Sequence, residues 1–278
     1  MTLQVHPQAS EGFSGDKGEE YDRVRPTYPS DGLSYLRKHL GQNNSLHIVE
    51  IGAGTGILTR GLLKHPEWTS DISELRAIDP SEGMRVVFQR TVSDARVSIS
   101  EGTFDNTGVP DGWADLIVIA TAFHWCLDFD AALKEFTRVL KPDGVVCLTW
   151  NALAGRSVAW VKELWEIPSR YDPKRHHEGN LWRAVYNSPL YDEYFEPSEE
   201  KVFPHYLTVS IEDVVDRVLT WSAVAVQGDA EKEKIKAEVR RIIQKGDELE
   251  WVEESKGLLK LPHETLMVFI HRKTANNV

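Results

Sequence analysis

The chain is poor in cysteine, with two in 278 residues, Cys126 and Cys147. That excludes a disulfide scaffold, and both sit in apolar stretches as small core residues would. Cys126 follows Trp125 and keeps a minor chemical role open. No apolar run reaches the ~18 residues a membrane span needs. The first residues, with Gln4, His6 and Glu11, lack the basic and apolar regions of a signal peptide, so a cytoplasmic location is the default expectation. Positive charge is also scarce. Lys and Arg number 32 against 43 Asp and Glu, for a net charge of -11. A polyanion needs a basic face to release counterions, so no nucleic acid is expected as partner. No internal repeat or low-complexity tract breaks the chain. What remains is 41% hydrophobic and 27% charged, enough for one large domain or one domain with an insertion. An acidic balance suits action on a small molecule or a cationic partner. The oligomeric state is open, with a monomer favoured.

One stretch carries most of the information: Ile48-Val49-Glu50-Ile51-Gly52-Ala53-Gly54-Thr55-Gly56. A β-branched apolar run ending in alternate glycines reads as a buried strand that turns tightly into a helix. The glycines admit positive φ and a close ligand. The following helix, 57–64, points free N–H groups above the loop. A nucleoside-containing cofactor is expected there. The dinucleotide fingerprint G-x-G-x-x-G does not fit, because its sixth position is Ile57 and the last glycine, Gly56, comes one residue early. Further on, Leu75-Arg76-Ala77-Ile78-Asp79 reads as a second strand ending in an acid. Asp79 lies where a carboxylate meets a ribose in doubly wound folds, and a carboxylate accepts two hydrogen bonds from a cis-diol. Asp79-Pro80-Ser81 also reads as the cap of a helix over 82–90, and both roles can hold together.

Strands are expected at 46–52, 74–79, 96–100, 114–120 and 144–150, with helices between them. That alternation implies an α/β fold with a mostly parallel sheet covered on both faces. Asp128 starts a helix that stops at Lys141-Pro142-Asp143-Gly144, read as a turn. From 151 to 204 the rhythm breaks into a stretch rich in Trp, Tyr, Arg and His, read as a helical insertion. Ser210-Ile211-Glu212-Asp213 is a capping-box start for a helix ending near Trp221, and 229–246 is a further amphipathic helix. Residues 264–271 read as a last strand, with a partner in 199–209. The expected organisation is 1–150 as N-terminal lid helix and cofactor-binding core, 151–205 as substrate-side insertion, and 206–278 completing the same sheet.

G-x-G-x-G after a strand carrying Glu50 resembles class I S-adenosylmethionine (SAM) methyltransferases. Further segments resemble their small-molecule branch, which contains trans-aconitate methyltransferases. These are Phe13, Tyr21 to Pro29, Ala77 to Ser81, Glu101-Gly102-Thr103, Ala122-Phe123-His124-Trp125 and Arg138 to Gly144. They follow family order and spacing over roughly 13–150, while the rest matches only through Thr220-Trp221-Ser222 and the final strand. The resemblance implies a Rossmann-like seven-stranded sheet whose last strand is antiparallel and lies beside the sixth. It implies Glu50, Gly52, Ala53, Gly54 and Gly56 around the methionine part of SAM, and Asp79 on the ribose. Thr103 and Phe104 would meet adenine, with Phe104 departing from the usual alanine. Ala120 and Thr121 would pass beneath the sulfonium, and Tyr21 and Arg25 would close over the cofactor. A guanidinium suits the methionine carboxylate, although Arg25 can equally be a surface ion pair with Glu19 or Asp22.

The implied activity is methyl transfer from SAM, leaving S-adenosylhomocysteine, to a small organic molecule. A carboxylate oxygen is the first expected acceptor and a hydroxyl the second. Alignment of acceptor, methyl and sulfur does most of the work in such a displacement. A carboxylate needs no base, whereas a hydroxyl does, and His124 is then the catalytic candidate. The alternative makes His124 a pocket wall beside Trp125, with Trp150 and Asn151 also meeting substrate at a strand end. Arg156, Lys162, Arg170, Lys174, Arg175 and Arg183 form either a lid that grips an anion or a solvated helix face. His176-His177 lacks a second ligand pair at helical spacing, so no metal is expected. Two rivals remain. A SAM-fold protein without transferase activity would make no methylated product, and a nicotinamide oxidoreductase is disfavoured by Ile57.

Overall fold

Val, Ile and Leu alternate with short polar turns, and in the computed structural model these runs become the strands of one sheet. The structure describes residues 17–154, 158–171, 181–246 and 248–273. The strands are β1 (Leu46–Ile51), β2 (Ile72–Ile78), β3 (Val97–Ser100), β4 (Ala114–Ala120), β5 (Leu140–Leu153), β6 (Glu199–Ser210), β7 (Trp251–Glu253) and β8 (Leu258–His271). Their order is β3-β2-β1-β4-β5-β8-β6, with the short β7 paired to β8. β1 to β5 pair in parallel, and β8 runs antiparallel to β5, β6 and β7. This is the doubly wound arrangement expected, with the last strand antiparallel and inserted beside the sixth. The three residues of β7 make the eighth strand. Strand order reverses where β1 meets β4, which opens a crevice at the C-terminal ends of the parallel strands.

Both sheet faces are covered. On one, α2 (Ser30–Lys38), α3 (Ile57–Lys64) and α4 (Pro66–Thr69) bring Leu36, Leu62 and Trp68 onto Ile48, Leu116 and Val118. α5 (Glu82–Thr91) adds Phe88 to that face. On the other, α6 (Phe129–Val139) packs Leu133 and Phe136 against Ile117 and Ile119, and α8 (Pro189–Tyr194) adds Tyr191. Burial of this size is the dominant favourable term in such a fold.

The C-terminal strands continue past the parallel sheet and carry a third core. There α7 (Ala159–Ser169) supplies Trp160, Val161 and Leu164. α9 (Ile211–Leu219), α10 (Ser222–Ala225) and α11 (Asp229–Lys245) supply Val214, Val224, Ile235 and Val239. α1 (Lys17–Val24) leans on this helical cap, and Arg23 of α1 meets Asp216 of α9 at 2.5 Å. The cap therefore joins α7 of the insertion to helices far along the chain.

One local reading changes. Lys141-Pro142-Asp143-Gly144 is part of β5 rather than a free turn. Ala114 pairs with Leu140 but Leu116 pairs with Val145, so the extra residues bulge out between two paired positions. The sheet continues on either side of a sequence whose local chemistry favours a turn.

Candidate active site

The loop between β1 and α3 is shaped by its glycines. Gly52, Gly54 and Gly56 have φ of 73°, 57° and 85°, the left-handed region that side chains resist. They do different work. A Cβ on Gly52 would stand 2.6 Å from Cβ of Ala122, and one on Gly56 2.7 Å from Val92 and 2.9 Å from Phe88. Those two let the loop pack on its neighbours. A Cβ on Gly54 would meet nothing within 4 Å, because Gly54 faces an open cavity of about 410 Å³.

That cavity lies at the switch point of the sheet. Its lining includes Tyr21, Arg25, Glu50, Gly52, Ala53, Gly54, Asp79, Thr103, Phe104, Ala120, Thr121, Trp125 and Asn151. Three expected site residues are outside the lining: Gly56, His124 and Trp150. Gly56 caps α3 beneath the loop. Nε1 of Trp150 donates to Nδ1 of His124 at 3.3 Å, and the Trp150 ring stacks on Trp182 at 4.7 Å.

Asp79 is 6% exposed and ties the site together. Its two carboxylate oxygens accept from the backbone N–H of Gly54 and of Ser81, both at 2.8 Å. Ser81 is the cap of α5, so Asp79 holds the loop and abuts a helix start at once. Burial pushes its pKa up to about 6, opposed by those two hydrogen bonds. Glu50 is 1% exposed and accepts a hydrogen bond from Thr59. Burial raises its pKa to about 8, with the nearby Asp79 charge adding to the rise. Two carboxylates this deep beside one cavity are costly unless something meets them.

The opposite wall comes from β4. Thr121, just past its end, holds φ at 54°, a rare conformation for a β-branched residue. Its hydroxyl lies 3.3 Å from the Tyr28 hydroxyl, and burial lifts the Tyr28 phenol well above its usual range. Phe104 packs edge-on against Phe123 at 5.5 Å. Cys126 lines the cavity with its thiol pushed up to about 12 by burial, so it stays protonated at neutral pH. Asn151 donates from Nδ2 to the Thr27 carbonyl at 3.3 Å and accepts from the Thr265 hydroxyl.

Arg25 has no ion pair with Glu19 or Asp22. Glu19 bonds Arg90 at 2.8 Å, and Asp22 bonds Arg60 and Thr55 at 2.6 Å. Arg25 stacks over Tyr21 at 4.7 Å and donates to the Thr220 carbonyl at 3.2 Å, leaving a buried Nε without a partner. The cations of the insertion sit elsewhere. Arg170 pairs with Glu238, Arg183 pairs with Glu200, and Lys162 is exposed. Arg156, Lys174, Arg175, His176 and His177, together with Phe13, lie outside the described residues. Among the described residues no cluster of His, Cys, Asp and Glu has the makings of a metal site.

Sequence reasoning passed over Arg217 and His263, both buried near Arg25. A signal for Arg217 was present: Val214, Arg217 and Val218 fall at i, i+3 and i+4, which puts an arginine in the apolar stripe of α9.

Residues 49–148 match a family described as a methyltransferase domain. An uncharacterised methyltransferase of Schizosaccharomyces pombe is 30% identical over 226 residues, 81% of this chain and 84% of that one. A malonyl-[acyl-carrier protein] O-methyltransferase of Yersinia pestis is 27% identical over 176 residues, 63% of this chain and 60% of that one. Among solved structures, one described as a putative type II methyltransferase from Anaeromyxobacter dehalogenans superposes with a TM-score of 0.63 at 18% identity, covering 90% of this chain and 97% of that one.

Proposed function

The chain belongs to the class I SAM-dependent methyltransferases, and from that premise we propose that it methylates a carboxylate oxygen of a small organic molecule. A hydroxyl oxygen is the second choice. The segments from Phe13 to Gly144 that resemble the branch containing trans-aconitate methyltransferases support this reading.

SAM fits the chemistry of the cavity. The open face at Gly54 leaves room for a ligand against the backbone, and Asp79 keeps acceptor capacity beyond its two backbone hydrogen bonds. In this reading Gly52, Ala53 and Gly54 run along the methionine part beside Glu50, with Gly56 shaping the loop. Asp79 takes the ribose hydroxyls, Thr103 and Phe104 flank adenine, and Ala120 and Thr121 border the reacting end. Tyr21 and Arg25 close the mouth. When bound, SAM supplies a methyl group activated by its sulfonium. The protein holds the acceptor in line and keeps water out, which is where most of the acceleration in such a reaction arises.

One observation carries the choice of acceptor. Among the described residues no histidine lines the cavity, and of its acids Glu50 is bonded to Thr59 beneath the glycine loop while Asp79 is held by two backbone N–H groups on the cofactor side. Asp105 accepts from Thr103 at 2.6 Å, Asp128 caps α6, and burial pushes the Cys126 thiol up to about 12. A hydroxyl would need a positioned base, whereas a carboxylate is nucleophilic as it stands. The Yersinia pestis relative, named for O-methylation of a malonyl group, agrees with that choice.

The test is labelled methyl transfer to a panel of small carboxylates and phenols, followed by mild alkali. Methyl esters release their label as methanol and methyl ethers do not. Alkali-labile label is the expected outcome. Alkali-stable label would move the assignment to a hydroxyl. S-adenosylhomocysteine binding without transfer to any acceptor would favour a SAM-fold protein with no transferase activity.

A further inference from the structure

Two hydroxyl groups from distant segments meet inside the cavity. Oη of Tyr28 lies 3.3 Å from Oγ1 of Thr121, and both residues belong to the lining. Each is held in place by the backbone that carries it.

Tyr28 sits in Arg25-Pro26-Thr27-Tyr28-Pro29, the run that leads from α1 to α2. A residue before proline is kept extended, and Pro29 itself has φ of -65° and ψ of 141°. Pro26 is buried, and the Thr27 carbonyl accepts from Nδ2 of Asn151 at 3.3 Å. Asn151 is gripped in turn by the Thr265 hydroxyl. The phenol therefore hangs from a stiff strap pinned near the end of β5. Its ring packs on the sheet face that holds Ile48 and Val118.

Thr121 is fixed from the opposite side. It follows β4 with φ of 54°, a costly conformation for a β-branched residue. Its backbone N–H donates to the Thr149 carbonyl at 2.7 Å. Ala122, next to it, approaches Gly52 so closely that a Cβ there would stand 2.6 Å away. Those contacts hold the strained residue, and strain kept in a cavity wall points to a task for its side chain.

The pair has bonding capacity left over. Of its two protons and four lone pairs, the mutual hydrogen bond takes one of each. Burial lifts Tyr28 well above the usual phenol range, so it stays protonated and takes up no proton from an acceptor. What it offers a ligand is neutral hydroxyl oxygen. With the glycine loop at the end of β1 on the methionine part and Asp79 after β2 on the ribose, the wall left for the reacting end is that of β4 and β5. The hydroxyl pair stands in that wall.

We propose that the hydroxyl oxygens of Tyr28 and Thr121 recognise the transferable methyl group, so that the site tells the methyl donor from the spent product. This rests on the methyltransferase reading and deepens it by naming the side chains that sense the methyl. A sulfonium draws charge from its methyl, whose C–H bonds then act as weak donors to oxygen, each contributing about two- to fivefold in affinity. In the transfer the acceptor's oxygen–carbon bond forms as the carbon–sulfur bond breaks. The electron pair stays on sulfur, and the charges of carboxylate and sulfonium cancel. The two hydroxyls neither gain nor lose a proton. They orient the methyl before transfer and have nothing to hold once it has left.

Protein stripped of carried-over ligand is titrated calorimetrically with SAM, S-adenosylhomocysteine and sinefungin, without any acceptor. Sinefungin carries a carbon with an ammonium group in place of the methylated sulfur, so it presents N–H donors where SAM presents C–H. The titrations are repeated for Tyr28→Phe and Thr121→Ala. Tyr28→Phe should weaken sinefungin at least about tenfold and SAM about two- to fivefold, while leaving S-adenosylhomocysteine almost unchanged. Thr121→Ala should give the same ordering, and it carries the comparison if Tyr28→Phe does not fold. Equal losses for all three ligands would overturn the proposal, because a hydroxyl that only braces the strap loosens every ligand alike. Unchanged affinity for all three would overturn it too. So would a larger loss for S-adenosylhomocysteine than for sinefungin, which would put the hydroxyls on the part both share. A wild type that binds none of the three would bring down the methyltransferase reading and the proposal together. A wild type that binds them, with equal losses in the variants, would bring down the proposal alone.

Discussion

Asp79 is asked to do two things with one carboxylate. Each oxygen already takes one backbone N–H, from Gly54 and Ser81, and each can accept once more. Hydrogen bonds to a charged group contribute about 1.5–3 kcal/mol, so losing the ribose contacts corresponds to roughly a ten- to hundredfold loss of affinity. Asp79→Ala is therefore expected to weaken S-adenosylhomocysteine by that factor, more than any single substitution in 160–190. An equal Kd in the variant would remove the ribose assignment. The same residue sets a pH dependence. Burial raises its pKa to about 6 in the free protein, and hydroxyl donors favour the charged form. Affinity should fall as pH drops through 6, and binding near that pH should release a proton. Calorimetry in buffers of different ionisation enthalpy measures the release. A pH-independent Kd between 5 and 7 would mean that Asp79 does not meet the ligand as a carboxylate.

At the scale of one loop, the three glycines between β1 and α3 separate folding from binding. Gly54 and Gly56 both hold positive φ, so alanine strains the backbone by about 1–2 kcal/mol at either place. Only Gly56 adds collision, with Phe88 and Val92 closer than 3 Å to the new Cβ. Gly56→Ala should show the larger fall in melting temperature. Gly54→Ala should fold with a smaller fall and bind S-adenosylhomocysteine more weakly, since its methyl group enters the cavity. The reverse ranking of melting temperatures would contradict the packing described for Gly56. This loop was legible because its information is local: a strand, its glycines and an acid about one β-α-β unit later. The five parallel strands and the capping box at Ser210 were legible for the same reason. The bulge at Lys141–Gly144 was not, because its residues favour a turn and only pairing with β4 keeps them in the sheet. Nor was the buried cationic group. Arg25, Arg217 and His263 come from three distant segments, and no spacing rule joins them. The insertion drew attention with its arginines, yet Arg170 and Arg183 are matched by Glu238 and Glu200, residues that only folding brings near.

For the whole molecule, the site acts as a stability load that a ligand relieves. Glu50 lies under the loop at the end of β1, buried, with its pKa raised from 4.5 to about 8. A carboxyl whose folded value is raised contributes its stability in full below pH 4.5, and that stability is lost as pH rises through about 8. Asp79 acts in the same direction over the narrower window from 3.8 to about 6. The ligand-free protein should thus grow less stable between pH 5 and pH 8, a range above the one in which its paired carboxylates, whose values are lowered, change its stability. Glu50→Gln removes the larger load while keeping a group that can bond Thr59. At pH 5 the variant and wild type should melt at similar temperatures. At pH 8 the variant should melt higher, and scanning calorimetry at the two values measures the gap. Parallel curves would mean that Glu50 is already matched by charge inside the fold. Where the gap does open, excess S-adenosylhomocysteine should raise both proteins by mass action, about 2.7 kcal/mol at a hundred times Kd. A glutamate kept at the end of β1 against that cost is best explained by a role that needs its charge, since stability alone would favour the amide.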